Sequence, residues 1–368
     1  MNWHWARAAF CYHSSPMSPI ESLLAKPRQA RAQFAANVAR YHHPHVVRSL
    51  LDKSRELRFE NPAEMLHLAH LATVIAPHCK GEERDRLDLL GEAWAHLANA
   101  LKVRGVLRVS EAAFKKAKGY LADTERQDLR ASYLEYFAAL RLRQVRLAEA
   151  RSALVEALAI REQMGEMRAV ASTLNQLAIV ESDSGQHVTA LRYLSRANRL
   201  ITWDQDPRLS LFSRHNSIYA LAAMKRSAVA LNLYERIQPL YETAGDKMLL
   251  LRGQWLFAKV AASFGRADSD ETAERAFRAS AQTAIELELP YESAKILFEM
   301  GSFFAARGRW HRLEMVVIES LNLLDELGIG RDAAVARVLL LAARQRRKSL
   351  NLLDRAGLLI DRHAFLAA

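Results

Sequence analysis

The chain has 368 residues, with 52 Lys+Arg against 41 Asp+Glu, a formal net charge of +11, 14 Gly, 9 Pro and 2 Cys. Half of the residues are apolar, which excludes wholesale disorder, and the low Gly and Pro content favours helices over strands. Two cysteines, Cys11 and Cys79, exclude a disulfide framework and a four-cysteine zinc site, and suit a reducing compartment.

A basic balance raises nucleic acid or an anionic membrane as partners, so the address of the charge matters. Residues 1–62 carry 9 basic and 4 acidic side chains and residues 331–368 carry 8 and 3, whereas 63–330 carry 35 and 34. The excess lies in the two ends. A chain that tracks phosphates spreads its cations along the binding surface. No direct nucleic-acid contact is therefore expected, and Lys115–Lys116–Lys118 and Arg344–Arg346–Arg347–Lys348 read as solvated helix faces or ends.

Residues 1–45 read as a basic, partly disordered N-terminal extension. Met1–Pro16 lacks the apolar core of a secretory signal, and Met17 is an alternative start to Met1. No run of 18 apolar residues occurs, so no membrane span is expected and the chain reads as cytoplasmic. His42, His43 and His45, with His67, His70, His78 and Cys79, would ligate zinc only if the first segments brought them together. Their spacing matches no ligand pattern, so neither metal nor other cofactor is expected.

Val46–Arg58 and Pro62–Ala76 read as a helix pair, with Asn61 as N-cap and Pro62 at the first helical position. Next come Trp94, Leu97, Ala98, Leu101, Gly105, Leu107, Ser110, Phe114 and Ala117. This register returns about 40 residues later as Leu134, Phe137, Ala138, Leu147, Ala150, Leu154 and Ala157, then as Leu174, Leu177, Ala178, Gly185, Ala190, Leu194 and Ala197. A fourth copy has Ile218, Leu221, Ala230, Tyr234 and Ile237. A fifth has Phe257, Ala258, Ala261 and Gly265, then about three inserted residues before Ala273 and Phe277. The sixth has Leu297, Met300, Gly301, Phe304, Gly308, Trp310 and Val317. Large residues pack between two antiparallel helices, small ones let them approach, and Gly supplies the positive φ that ends the first helix. Val145 and Lys225 replace that Gly in copies two and four, so those turns are expected to close differently. Turn signals separate the copies at Asp123–Thr124, Gly165–Glu166, Asp204–Pro207, Gly245–Asp246, Leu289–Pro290 and Gly328–Gly330.

These residues resemble the tetratricopeptide repeat family, in a long-period form of about 40 residues against the usual ~34. The resemblance implies an all-α, right-handed superhelical solenoid of antiparallel helix pairs over 46–330, with 331–368 as C-terminal capping helices at Asp332–Lys348 and Leu350–His363. It further implies a concave face lined by the first helix of each pair. Asn175, Gln176, His215, Asn216, Tyr219, Arg252, Trp255 and Lys259 are the candidate peptide-binding residues there, beside His96, Asn99, Glu135, Tyr136, Lys295, Phe298 and Glu299. Amide side chains can both donate to and accept from a peptide unit, and buried aromatic anchors dominate binding energy. The family's carboxylate clamp is not expected, because Ala95 stands where its lysine would fall and Ser172 and Gln176 occupy its later basic positions.

No phosphate-binding loop and no G-x-S-x-G elbow is present, and Glu64-x-x-His67 has no second copy to complete a di-iron site. The reading is a non-catalytic scaffold or adaptor that binds a protein or peptide partner. The alternative is a ligand- or peptide-sensing regulator of transcription or signalling acting through a partner protein, since no helix-turn-helix is evident.

Overall fold

The computed structural model describes residues 17–58, 61–243, 247–327 and 330–345. Met1, Cys11, the turn signals at Gly245–Asp246 and Gly328–Ile329, the basic run 346–348 and the capping helix expected at Leu350–His363 lie outside them. Among the described residues every regular element is helical, and no helix is long and apolar enough to cross a membrane. The chain divides into two compact units, Met1–Tyr136 and Phe137–Ala368.

In the first unit, α1 (Pro19–Leu24) and α2 (Arg31–Asn37) precede a 3₁₀ turn at Ala39–Tyr41. Ser18 and Glu21 cap α1 reciprocally: Glu21 Oε2 accepts from Ser18 N at 2.9 Å and Ser18 Oγ accepts from Glu21 N at 3.3 Å. Short helices thus form within residues 17–45, and the reason is burial. Leu23, Ala35 and Tyr41 enter the core that Val47, Leu50, Leu68 and Leu71 form on α3 (Pro44–Glu56) and α4 (Pro62–Ile75). Asn61 caps α4 as the sequence suggests, accepting from Glu64 N at 3.0 Å. The first clear repeat is α5 (Glu83–Val103) with α6 (Leu107–Tyr120), where Ser110 Oγ donates to Ala98 O at 2.7 Å. A buried hydroxyl thus finds its partner on the facing backbone, which only small residues at both positions allow. The unit boundary falls inside α7 (Gln127–Arg143), a break that the repeat register does not announce.

The second unit continues with α8 (Leu147–Met164), α9 (Met167–Asp183), α10 (His187–Leu200), α11 (Pro207–Ala223) and α12 (Ser227–Thr243). It ends with α13 (Lys247–Ser263), α14 (Ala267–Glu286), α15 (Pro290–Ala306), α16 (Trp310–Glu326) and α17 (Gly330–Arg344). Each helix from α8 to α17 packs on the next, and the first helices α9, α11 and α13 also touch in series. Leu174, Leu177, Ala178, Ala190, Leu194 and Ala197, all register positions, are buried. The longer period resides in the helices, mostly of 17 residues, while the turn within each pair is short. The insertion in copy five lies within α14, which has 20 residues against 17 in α12 and α16. Three extra residues are close to one helical turn, so its buried face keeps its direction.

One expectation is corrected. Val145 and Lys225 take φ of 67° and 60°, like Gly105, Gly185 and Gly308 at 78°, 76° and 67°. The bonds closing these turns are the same. Arg146 N donates to Arg141 O at 2.8 Å and Arg226 N to Leu221 O at 2.9 Å, as Gln186 N does to Glu181 O at 2.8 Å. The packing of each pair fixes the turn, and two side chains accept a left-handed backbone to satisfy it.

Candidate functional site

Helical spacing places Trp255 and Lys259 one turn apart on α13, and Lys295 and Glu299 one turn apart on α15. Their side chains converge. Trp255 Nε1 donates to Glu299 Oε2 at 2.5 Å, and Lys259 Nζ lies 2.8 Å from Glu299 Oε1. Lys259 Nζ also sits 4.6 Å from the Trp255 ring centre and 5.0 Å from that of Tyr219 on α11. Lys295 is fully buried. Its ammonium donates to Glu292 Oε2 at 2.7 Å and lies 5.4 Å from the rings of both Trp255 and Tyr291. Two cations thus approach aromatic faces, Lys295 fully desolvated and Lys259 still partly in water, and such contacts strengthen with desolvation.

The electrostatics are coupled along these helices. Burial alone would raise the Glu292 carboxyl, but the charge and hydrogen bond of Lys295, with Arg252 and Arg143, hold it below its ordinary value. Burial and the nearby Asp332 carboxylate push Tyr291 up, so it remains a phenol and donates to Asp332 Oδ2 at 2.8 Å. The cations Arg143, Arg252, Lys259 and Lys295 share this region with the carboxylates of Glu292, Glu299 and Asp332. The region can hold negative charge or a polar backbone. Its aromatic surfaces can cover a side chain.

The eight candidate residues divide. His215, Tyr219, Arg252, Trp255 and Lys259 are neighbours in this cluster. Asn175 stands apart on α9, 2 % exposed, with Nδ2 donating to Ala171 O at 3.0 Å and Oδ1 without a hydrogen-bond partner among the described residues. Gln176 and Asn216 are half-buried, and their amides make no hydrogen bond among the described residues. Trp255 and His215 are more enclosed than an open binding face requires, at 3 % and 7 % exposed. His215 Nδ1 is 2.7 Å from the Tyr241 hydroxyl. Burial, then the charges of Lys259 and Arg252, keep that imidazole neutral. The accessible part of the cluster is its half-buried margin of Lys259 and Tyr219, with the half-buried Asn216 three residues before Tyr219 on α11.

Sequence reading missed Glu292, Tyr291, Asp332 and Arg143. The available signal was Glu292-x-x-Lys295-x-x-x-Glu299, an acid–base–acid series on one helix face. In the first unit, His96 packs edge-on against Tyr136 at 5.3 Å and is buried, as is Asn99. The N-terminal histidines do not converge on a point. His42 and His78 stack at 4.8 Å, His42 Nε2 lies 3.0 Å from Ala35 O, and His45 Nδ1 lies 2.9 Å from Ser49 Oγ. Among the described residues no group of three or more His, Cys, Asp or Glu side chains could hold a metal ion. Burial pushes the Cys79 thiol up to about 11, which leaves it unreactive. Glu64 pairs with Arg31 at 2.7 Å and Arg28 at 3.4 Å.

No protein-family model and no curated protein sequence matches the chain. Solved structures do. A Rap protein complexed with Competence and Sporulation Factor superposes with a TM-score of 0.66 at 13 % identity, covering 87 % of each chain. Aspartyl phosphate phosphatase F from Bacillus subtilis superposes with a TM-score of 0.51 at 12 % identity, covering 97 % of each chain. At such identities the likeness carries the fold and no activity. With the six-fold sequence register and the consecutive helix pairs, these likenesses show an all-α fold of the tetratricopeptide-like repeat type.

Proposed function

We propose that the second unit binds a peptide or extended protein segment along the first helices α9, α11, α13 and α15, with Asn216, Tyr219 and Lys259 making direct contact. Arg252, Trp255, Lys295 and Glu299 lie behind them and set charge and shape. The observation that carries this reading is the Trp255–Glu299–Lys259 cluster. A helical core gains little from buried ion pairs, since apolar replacements of equal volume are often neutral or stabilising. A charged, aromatic, partly accessible cluster on adjoining repeats therefore fits recognition better than stability. The free amides of Gln176 and Asn216 suit a peptide backbone, whatever its sequence.

The role we assign is capture without a chemical step. It is supported, at the level of fold, by likeness to a Rap protein solved with a bound factor. That same likeness favours a second reading, in which the captured segment is a signal and the chain passes its binding to a partner protein. Either role suits a reducing, cytoplasm-like compartment, in keeping with the two-cysteine composition. The test is selection of peptides from a random displayed library on the full chain. Selected peptides are expected to lose about tenfold or more in affinity on Lys259→Ala or Asn216→Ala, a loss of ~1.4 kcal/mol. Unchanged affinity in both variants overturns the proposal.

A further inference from the structure

A second feature lies apart from the residues of this cluster, where the second helices α10 and α12 flank α11. α10 and α12 each pack on α11, and the groove along α11 has a volume of about 860 Å³. Leu191, Ile218, Leu221, Leu233, Ile237 and Leu240 supply its apolar lining, and Arg199, Arg214 and Arg236 line it too. An adjoining hollow shares Leu191, Ser195 and Arg199 and adds Val188, Arg192, Met224 and Arg226. None of the eight candidate peptide-binding residues lines either.

The charge is one-sided. Arg192, Arg199, Arg214, Arg226 and Arg236 make no ion pair or side-chain hydrogen bond among the described residues, and no carboxylate lines the groove or the hollow. Arg196, on the same α10, instead pairs with Glu162 at 2.5 Å. Cations gathered without counter-charges repel one another, a cost that a partner's carboxylates remove. Arg192 and Arg199 are seven residues apart on α10, a rise of about 10 Å along the helix, so together they offer an extended row of charge. The apolar side chains follow helical spacing. Ile218, Leu221 and Ile237 are buried and form the floor, while Leu191 on α10 and Leu233 and Leu240 on α12 are half-buried along the walls, where another helix can rest on them. A polyphosphate chain would leave that lining uncovered.

We propose that this groove docks an acidic amphipathic helix of a partner protein, its apolar stripe on Leu191, Leu233 and Leu240 and its flanking carboxylates on the arginines. This is a helix-in-groove mode that uses none of the side chains proposed to capture a peptide.

The test uses the full chain and an end-capped, fluorescein-labelled peptide of about 14 residues, with leucines at i, i+3, i+4 and i+7 and glutamates beside them. A control peptide carries lysine in place of glutamate. The glutamate peptide is expected to bind, more weakly as salt rises, and the lysine peptide not to bind. Arg199→Glu with Arg236→Glu, both exposed positions, is expected to weaken binding at least tenfold with an unchanged urea midpoint. Arg199→Ala with Arg236→Ala gives a smaller loss in the same direction. Asn216→Ala leaves this affinity unchanged, which separates the groove from the proposed peptide face. Absence of binding, equal binding of both peptides or equal affinity in the double variants overturns the proposal. So does preferential binding of inorganic polyphosphate, or self-association of the chain that the double substitution abolishes.

Discussion

The indole N–H of Trp255 donates to one oxygen of Glu299, and the ammonium of Lys259 lies 2.8 Å from the other. Two neighbours on α13 therefore depend on one carboxylate of α15, whose side chain is only 9 % exposed. Removing it by Glu299→Ala leaves a buried indole donor and a part-buried ammonium without their acceptor, at a cost of about 2 kcal/mol. Glu299→Gln keeps one acceptor and is expected to cost roughly half of that. Urea denaturation of the full chain measures both, and a Glu299→Ala midpoint equal to wild type would show the cluster to be solvated.

The turns at Val145 and Lys225 give an independent test. A β-branched residue at positive φ is strained, so Val145→Gly is expected to stabilise the chain by about 1 kcal/mol. Lys225→Gly gains less, because an unbranched side chain tolerates the left-handed region better. The reverse change, Gly185→Val, costs at least as much as Val145→Gly gains. Thermal melts of the three variants decide the matter.

Two other glycines should respond in opposite directions to alanine. A Cβ at Gly301 would lie 3.0 Å from Leu313 Cδ1 and 3.1 Å from Val317 Cγ2, so Gly301→Ala crowds α15 against α16 and costs about 1–2 kcal/mol. Gly119 lies on an exposed face of α6 with nothing near its Cβ position, and Gly119→Ala stabilises by about 0.5–1 kcal/mol. The sign of each change in melting temperature is the readout.

Stability should fall in mild acid. Burial pushes His96 down to about 3, with Arg55 adding to the shift, so the folded chain holds this imidazole neutral. Once the pH drops below the unfolded value near 6.5, the unfolded chain binds a proton that the folded one refuses. Stability is therefore full above that pH and declines toward pH 3, by up to ~1.4 kcal/mol per pH unit from this residue. His96→Gln is expected to flatten the dependence between pH 6.5 and 5. An identical slope in wild type and variant would mean that His96 is solvated.

The repeat architecture was legible because burial repeats in the sequence. Each copy sets large and small residues at the same intervals, and Leu174, Leu177, Leu194 and Ala197 are buried at those intervals. The turns at Val145 and Lys225 were less legible, since backbone geometry there is imposed by tertiary packing and overrides local preference. At the candidate site, sequence placed Tyr219, Arg252, Trp255 and Lys259 on adjoining first helices, and they do gather. It did not reveal that Trp255 and His215 are enclosed, because their cover comes from Glu299 and Tyr241, 44 and 26 residues away. The outer groove was hidden for another reason. Leu233 and Leu240 share a helix face with the buried Ile237, and spacing does not tell that they stay half-buried while Ile237 is covered.

Hydrogen–deuterium exchange on the full chain, with and without a peptide selected from the displayed library, tests the central claim most directly. The account predicts new protection on α9, α11, α13 and α15, centred on 215–219 and 252–259, with α10 and α12 unchanged. Protection confined to α10 and α12, or to the first unit, would contradict it.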